Sequence, residues 1–437
     1  MSAPQRPRTH FPTGPPPRDE RGLRRRDLLR LGALAGAGLL AEGGAWPAVA
    51  AAVAEAPRIR RRVTLGRTGL VVPDIGFGTS ALRGDERLVH HALDRGITHF
   101  DTAEGYTGGE AERTLGRALR GRRNDVTITS KVVAAADDPA PKLMRELEES
   151  LRRLQTDRID VYMNHAVNDV ARLENPGWRE FTRRAKQQGK IRFVGMSGHG
   201  PRLAACLDHA LASDQVDAIL VAYNFSQDPG FLERLQDGAL GLAPGIDAIA
   251  PQPQLPALLR RAHAQRVGVM VMKTLKGARL NDMRPYETGG ATFAQAAFRW
   301  VLASPDVDAL VVTMRSPEQV DEYVAASGSE GRARADFPLL ARYEARNGRS
   351  QCQPGCGACA ASCPDGVPIS DALRSRMYAV DYGDAGQALG EYARLGAGAA
   401  ACLACRDPRC LAACPSGLPI QGLAIDAHLR LARGGVA

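Results

Sequence analysis

The stretch Phe100-Asp101-Thr102-Ala103-Glu104-Gly105-Tyr106 places a carboxylate and a phenol five residues apart, directly after a short apolar run. The run Ile97–Asp101 is typical of a buried parallel strand. Glycines then interrupt the pattern before a helical periodicity begins at Glu110. Asp101 and Tyr106 are therefore predicted to lie at the carboxyl end of a strand. In a barrel of alternating strands and helices, that end carries the active site.

Two further predicted strands end in residues that can carry chemistry. Thr127–Lys131 ends in a lysine, and Ile159–His165 ends in a histidine. Helices and strands alternate at a steady interval on both sides of them, which implies a parallel sheet with right-handed crossovers.

The Asp-Thr-Ala-x-x-Tyr segment, followed by that lysine and that histidine, resembles the aldo/keto reductases. The resemblance implies an α/β fold, a (β/α)8 TIM barrel over residues 57–330. It also implies reduction or oxidation of a small carbonyl or alcohol substrate. Tyr106 would donate the proton, and Lys131 would stabilise the phenolate left behind. Asp101 would hold the lysine charged, and His165 would hydrogen-bond the carbonyl oxygen.

The same resemblance implies a bound NADP(H). Ser197 would hold the nicotinamide carboxamide, although Gly198 and Leu220 stand where relatives place an asparagine and a glutamine. Met272 would stack on the nicotinamide, and Lys273 would lie beside the pyrophosphate. The remaining cofactor residues are expected around the adenosine 2′-phosphate and adenine: Arg315, Ser316, Gln319 and Glu322.

Two alternatives accompany this assignment. A helix cap also explains Ser316 followed by Glu318 and Gln319. The family motif commonly ends in Glu-Asn, whereas Tyr323 follows Glu322 here. The main rival function is a nucleotide-binding redox-sensing or structural module without turnover, because one fold hosts both enzymes and binding subunits.

Eight of the nine cysteines lie in two groups of four, each ending in Cys-Pro. Their compact spacing approximates the ferredoxin run that ligates a cubic cluster, and it predicts two 4Fe-4S clusters. The predicted ligands are Cys352, Cys356, Cys359, Cys363, Cys402, Cys405, Cys410 and Cys414. In two-cluster ferredoxins the fourth cysteine of a run binds the other cluster. Cys363 is thus a candidate for the second set, and Cys414 for the first.

Each cysteine run is followed by a Gly-x-Pro-Ile segment, at residues 366–369 and 417–420. This repeat resembles the helical ferredoxin domains appended to some aldo/keto reductases, and it predicts a small, mostly α-helical domain over residues 335–437. Two zinc sites of four cysteines each are the rival metal interpretation, although zinc ligand pairs usually lie further apart. Disulfides would close very small, strained loops.

The first 56 residues are predicted to be a disordered tail followed by an export signal. Arginines 24–26 precede the apolar run Leu31–Leu40, and small residues follow. The paired arginine resembles the twin-arginine signals of bacteria, which implies the twin-arginine export machinery as a partner and a periplasmic location. The run is shorter than the about 20 residues of a membrane span. An uncleaved amphipathic tail on a cytoplasmic enzyme is the alternative.

Composition excludes several classes for this 437-residue chain. With 44% hydrophobic and 24% charged residues, the whole is not disordered. The net charge of +9 is dispersed over predicted helix faces, so no nucleic acid is expected as a partner. The long connection 224–251 is predicted to cover the barrel mouth and to select the substrate. A redox partner protein would exchange electrons with the clusters.

Overall fold

Ten strands and fourteen helices appear in the computed structural model, which describes residues 56–236, 252–276, 283–287, 290–333, 335–348 and 350–432. The strands are β1 (Arg62–Thr64), β2 (Val71–Pro73), β3 (Ile75–Gly78), β4 (His99–Asp101), β5 (Thr127–Val132), β6 (Ile159–Asn164), β7 (Ile191–Gly198), β8 (Ala218–Ala222), β9 (Gly268–Met272) and β10 (Ala309–Thr313). Strands β3 to β10 are parallel and close into a barrel, with β10 paired back to β3. The (β/α)8 architecture is confirmed.

Helices follow the barrel strands and continue beyond the last one. They are α1 (Glu86–Asp94), α2 (Glu110–Ala118), α3 (Ala140–Leu154), α4 (Ala171–Glu174), α5 (Pro176–Gln187), α6 (Leu203–Ala212), α7 (Pro229–Gln236), α8 (Leu255–Ala264), α9 (Phe293–Leu302), α10 (Pro317–Val324), α11 (Asp336–Asn347), α12 (Ile369–Val380), α13 (Ala385–Ala393) and α14 (Ile420–Leu431). Among the described residues, no helix is long and apolar enough to cross a membrane.

The antiparallel hairpin β1–β2 closes the amino-terminal end of the barrel. Its apolar side chains Leu65 and Val72 are fully buried and pack with the barrel interior, including Met270. Gly268, the first residue of β9, packs closely against this hairpin, because a Cβ at this position would lie only 2.5 Å from Leu65 Cγ. The opposite, carboxyl end of the barrel is therefore left to carry the functional groups.

The predicted strand positions hold, with differences at their ends. The predicted strand Thr127–Lys131 extends by one residue to Val132, and Ile159–His165 ends one residue earlier, at Asn164. The predicted strand Ile97–Asp101 pairs only over His99–Asp101. Within the expected connection 224–251, residues 229–236 form helix α7. Residues 237–251 lie outside the described part of the chain, as does the predicted export signal.

Helix α11 packs on the barrel, although the sequence placed it in the C-terminal domain. Phe337 lies against Phe231 and Trp300, with ring centroids 5.4 and 6.0 Å away. Tyr343 stacks on Phe293 at 4.3 Å. The described residues from 56 onward belong to one compact unit, so barrel and C-terminal helices share a continuous structure.

The Gly-x-Pro-Ile repeat has the same backbone in both copies. Gly366 and Gly417 adopt φ of 61° and 63°, the left-handed region that glycine tolerates at no steric cost. Two residues after each glycine lies a proline with ψ of 66–67°. A helix, α12 or α14, then begins at a buried isoleucine. Helices α12, α13 and α14 bury their apolar faces against one another around these turns.

Candidate active site

One cavity of about 640 Å³ opens where the barrel strands end and the C-terminal helices cover them. The structure brings the four predicted catalytic side chains into its wall: Asp101, Tyr106, Lys131 and His165. Each projects from or just beyond the carboxyl end of β4, β5 or β6. Adjacent parallel strands thus gather groups that are far apart in sequence.

Asp101 and Lys131 form a buried ion pair. Lys131 Nζ donates to Asp101 Oδ1 at 2.6 Å and to the Thr102 carbonyl at 2.7 Å, and the two charged residues are only 1–3% exposed. Burial lowers the pKa of Lys131 and raises that of Asp101, and the opposite charge of each partner counteracts the shift. An ammonium has three donors, so one N–H remains for another acceptor.

Tyr106 lies beside both Lys131 and His165. Lys131 Nζ is 5.1 Å from the centre of the tyrosine ring, and the His165 ring meets that ring edge-on at 5.6 Å. Burial, reinforced by the Asp101 carboxylate, raises the pKa of Tyr106 well above 10. Burial and nearby cations lower the pKa of His165 well below 6.5. The site therefore presents a protonated phenol and a neutral imidazole at neutral pH.

Of the residues predicted to hold nicotinamide, Ser197, Met272 and Lys273 line the cavity. Ser197 Oγ accepts the Ala166 N–H at 3.0 Å, so it also fixes the loop after β6. A Cβ at Gly198 would lie 2.6 Å from Leu203 Cδ1 and 3.1 Å from the Val167 carbonyl oxygen, so a larger residue at this position requires the leucine side chain to move.

Arg315, Gln319 and Glu322 line the other end of the cavity, whereas Ser316 caps helix α10. The Ser316 hydroxyl accepts the Gln319 N–H at 3.3 Å, and the Gln319 side chain accepts the Arg315 N–H at 2.9 Å. Ser316 therefore forms the helix cap that the alternative interpretation of this segment predicted. Tyr323 occupies the position where the family commonly has asparagine. Its ring packs edge-on against that of Phe298, with the ring centroids 5.1 Å apart.

The C-terminal domain supplies cavity residues that the sequence analysis missed. Arg374, Met377, Tyr378 and Glu391 lie in the wall, together with Cys352. Arg374, Met377 and Tyr378 lie on α12, and Glu391 lies on α13. The polar residues along one face of α12 are the sequence signal from which a role in the cavity could have been predicted. Helix α13 also approaches the catalytic loop, since a Cβ on Gly105 would lie 2.7 Å from Arg394 Nη2.

The eight predicted metal ligands separate into two spatial sets. Burial raises the pKa of Cys352 to about 12, and the neighbouring Cys356, Cys359 and Cys414 add to the shift. The second set lines a narrow cleft at the end of the C-terminal helices: Cys363, Cys402, Cys405 and Cys410. The fourth cysteine of each run thus lies with the other run.

All nine cysteines are free thiols, so none forms a disulfide. Within the described ranges, no three His, Cys, Asp or Glu side chains converge closely enough to hold a single metal ion. A cubic cluster has a different requirement, because each thiolate binds its own iron corner. Free thiols in two sets of four, three of them buried and five partly exposed, have the donor chemistry for such clusters.

Comparison with known proteins identifies the barrel. The model of the "Aldo/keto reductase family" matches residues 74–330. L-glyceraldehyde 3-phosphate reductase of Escherichia coli (strain K12) is 26% identical over 300 residues, 60% of this chain and 86% of that protein. L-galactose dehydrogenase of Arabidopsis thaliana is 27% identical over 287 residues, with the same coverage. An aldo-keto reductase structure from Klebsiella pneumoniae in complex with NADPH aligns with 66% of this chain and 95% of its own, at 26% identity and a TM-score of 0.48.

Proposed function

This chain belongs to the aldo/keto reductase family, and on that premise we propose that it is an NADP(H)-dependent oxidoreductase that interconverts a carbonyl and an alcohol. The observation that carries the proposal is the single cavity shared by Asp101, Tyr106, Lys131 and His165. Arg315 adds a cation to its wall, which suits a phosphate of a dinucleotide. NADPH, when bound, supplies a hydride to the carbonyl carbon and leaves as NADP⁺.

The chain's own residues handle the proton. Tyr106 holds its proton at neutral pH and delivers it to the carbonyl oxygen, while neutral His165 donates a hydrogen bond to the same oxygen. Lys131 stabilises the phenolate that remains, through its unused N–H. Asp101 keeps the ammonium in place through the 2.6 Å bond. The C-terminal helices contribute residues to the wall of the same cavity.

The second part of the proposal concerns the cysteines. Two 4Fe-4S clusters would be held by the two spatial sets, and they would supply one-electron transfer to a redox partner protein. What supports this is the grouping of eight thiols into two fours, with Cys352 in the wall of the active-site cavity. We also propose export through the twin-arginine route, because that route carries proteins already folded around their cofactors. That proposal rests on the sequence of the first 56 residues.

Replacing Tyr106 by phenylalanine tests the enzyme assignment. NADPH oxidation with a panel of aldehydes and ketones is expected to fall by roughly 10²–10⁴-fold, the usual contribution of a positioned general acid. NADPH binding, followed by its fluorescence, is expected to stay unchanged. Tyr382→Phe is the control, because it removes a hydroxyl from the same cavity away from His165. If the wild type turns over no carbonyl, the chain is a nucleotide-binding module and the assignment fails.

A further inference from the structure

Arg374 is a buried cation in the wall of the active-site cavity. It lies on α12 of the C-terminal domain and is only 8% exposed. Its Nε is buried without a hydrogen-bond partner, and its side chain forms no ion pair or hydrogen bond with any described residue. A buried guanidinium without a partner is costly, so such a group ordinarily has an anion to meet.

No carboxylate of the described residues forms an ion pair with Arg374. Asp371 lies one turn earlier on α12, and burial raises the pKa of that carboxyl while the Arg374 charge lowers it. Cys352 is affected in the same way, because burial raises its pKa and Arg374 opposes the shift. Glu391, on α13, is paired instead with Arg394 at 3.3 Å. The arginine therefore brings to the cavity a positive charge that no ion pair balances in the described part of the chain.

Two further groups of the cavity wall can meet an anion beside Arg374. Lys273 follows β9, and its one side-chain hydrogen bond among described residues goes to Tyr378 Oη, at a long 3.4 Å. His199 follows β7, its Nδ1 is buried without a partner, and burial lowers its pKa well below 6.5, so it is a neutral hydrogen-bonding group. All three groups line the same cavity as Tyr106 and His165.

We propose that Arg374, Lys273 and His199 bind an oxyanion, a carboxylate or a phosphate, on the carbonyl substrate of this enzyme. This reassigns Lys273, which the family resemblance placed beside the cofactor pyrophosphate, to the substrate, because its hydrogen-bond partner Tyr378 lies on the same helix as Arg374. The proposal rests on the proposed function and adds the substrate class to it. An oxyanion accepts the fork of N–H donors that a guanidinium presents, and it satisfies the orphaned Nε and Nδ1 in one step. The C-terminal domain is then part of the substrate site as well as its cover.

The test compares matched aldehydes that differ only in charge, with the full cluster-loaded chain. Succinic semialdehyde is paired with butanal, and glyceraldehyde 3-phosphate with glyceraldehyde, so that a carboxylate site and a phosphate site are told apart. The anionic member of at least one pair is expected to have a kcat/KM higher by roughly 30-fold or more, the usual scale of a buried charge pair. Arg374→Gln should remove that preference, and Arg374→Lys should restore part of it. Arg376→Gln should preserve it, because that arginine lies on the same helix but pairs with Asp426.

Binding measurements separate this proposal from its premise. Titration with butyrate in the presence of NADP⁺ needs no turnover, and Arg374→Gln should weaken the butyrate Kd by a factor similar to the lost preference. The NADPH Kd should stay within about twofold of wild type. If Arg374→Gln weakens NADPH binding and spares butyrate, the guanidinium serves the cofactor phosphates and the proposal is overturned. Butyrate binding with no turnover of any aldehyde would refute the proposed function and retain the anion site.

Discussion

At the scale of single residues, the site depends on charges that are buried together. Asp101 and Lys131 are both nearly inaccessible to solvent. Among the described residues, neither forms a hydrogen bond to any other charged side chain. A buried ion pair contributes little net stability, but breaking it strands one charge. The pair is therefore better explained by its position under Tyr106 than by stability.

Asp101→Asn is expected to lower the free energy of unfolding by about 3–5 kcal/mol, because Lys131 is left buried without its partner. The double variant Asp101→Asn with Lys131→Met should lose much less, since no charge is then buried. Guanidinium unfolding followed by circular dichroism measures both. Neither variant should retain carbonyl reduction. Equal destabilisation in the two would contradict the account of the pair.

Lys273 makes anion binding depend on pH near neutrality. Burial and the Arg374 guanidinium lower its pKa to about 7, while Glu391 opposes the shift; Tyr378 and His199 are its other polar neighbours. The ammonium form is thus present below pH 7 and is lost above it. Butyrate affinity should be full below about pH 7 and should fall by up to about tenfold per pH unit above it. Lys273→Met should flatten the profile between pH 6 and 8, and an unchanged slope in that variant would refute the assignment.

The sequence predicted that Asp101, Tyr106, Lys131 and His165 lie together because their motif lies at strand ends, where the chain order alone fixes neighbours. It could not locate Arg374, because the approach of α12 to the cavity depends on contacts between distant parts of the chain. Gln252 illustrates them, with its Nε2 donating to Gly200 O and Gly355 O at 2.9 Å. Gly198 was noted as a departure from the family, but the close approach of the Leu203 side chain to it required coordinates.

At the scale of secondary-structure elements, the packing of α11 sets the boundary between the barrel and the C-terminal helices. Its residues Phe337, Leu340 and Tyr343 are buried against aromatic side chains of α7 and α9. Arg299 Nε on α9 also donates to Asp336 Oδ2 at 2.9 Å. The sequence of residues 335–347 carries no motif that names the surface they cover, which is why the predicted boundary was placed before this helix.

Truncation should show that boundary. A chain ending at residue 330 exposes the aromatic cluster around Trp300, whereas a chain ending at residue 348 keeps it covered. Each buried Phe, Leu or Tyr side chain contributes about 1.5–3 kcal/mol, so the shorter chain should unfold at a lower temperature and aggregate. Differential scanning calorimetry compares the two. Equal stability would place α11 with the C-terminal domain, as the sequence suggested.

At the scale of the whole molecule, one cysteine set reaches the barrel cavity through Cys352, and the other lies within the C-terminal helices. The sets cross between the two runs, and double substitution tests the crossing. Cys352→Ala with Cys414→Ala removes two ligands of one set, so one cluster and about four irons per chain should remain. Cys410→Ala with Cys414→Ala removes one ligand from each set, so both clusters should be lost. The reverse outcome would show that each run binds its own cluster.

The central claim is that one chain combines a carbonyl-reducing barrel with two clusters at its mouth. Anaerobic absorption and EPR spectra of the purified protein, with iron, sulfide and zinc assays before and after NADPH addition, test it most directly. We predict about eight irons and eight labile sulfides per chain, the content of two cubic clusters, and bleaching of the clusters by NADPH. Zinc without labile sulfide would contradict the claim and leave a reductase with a zinc-bound tail.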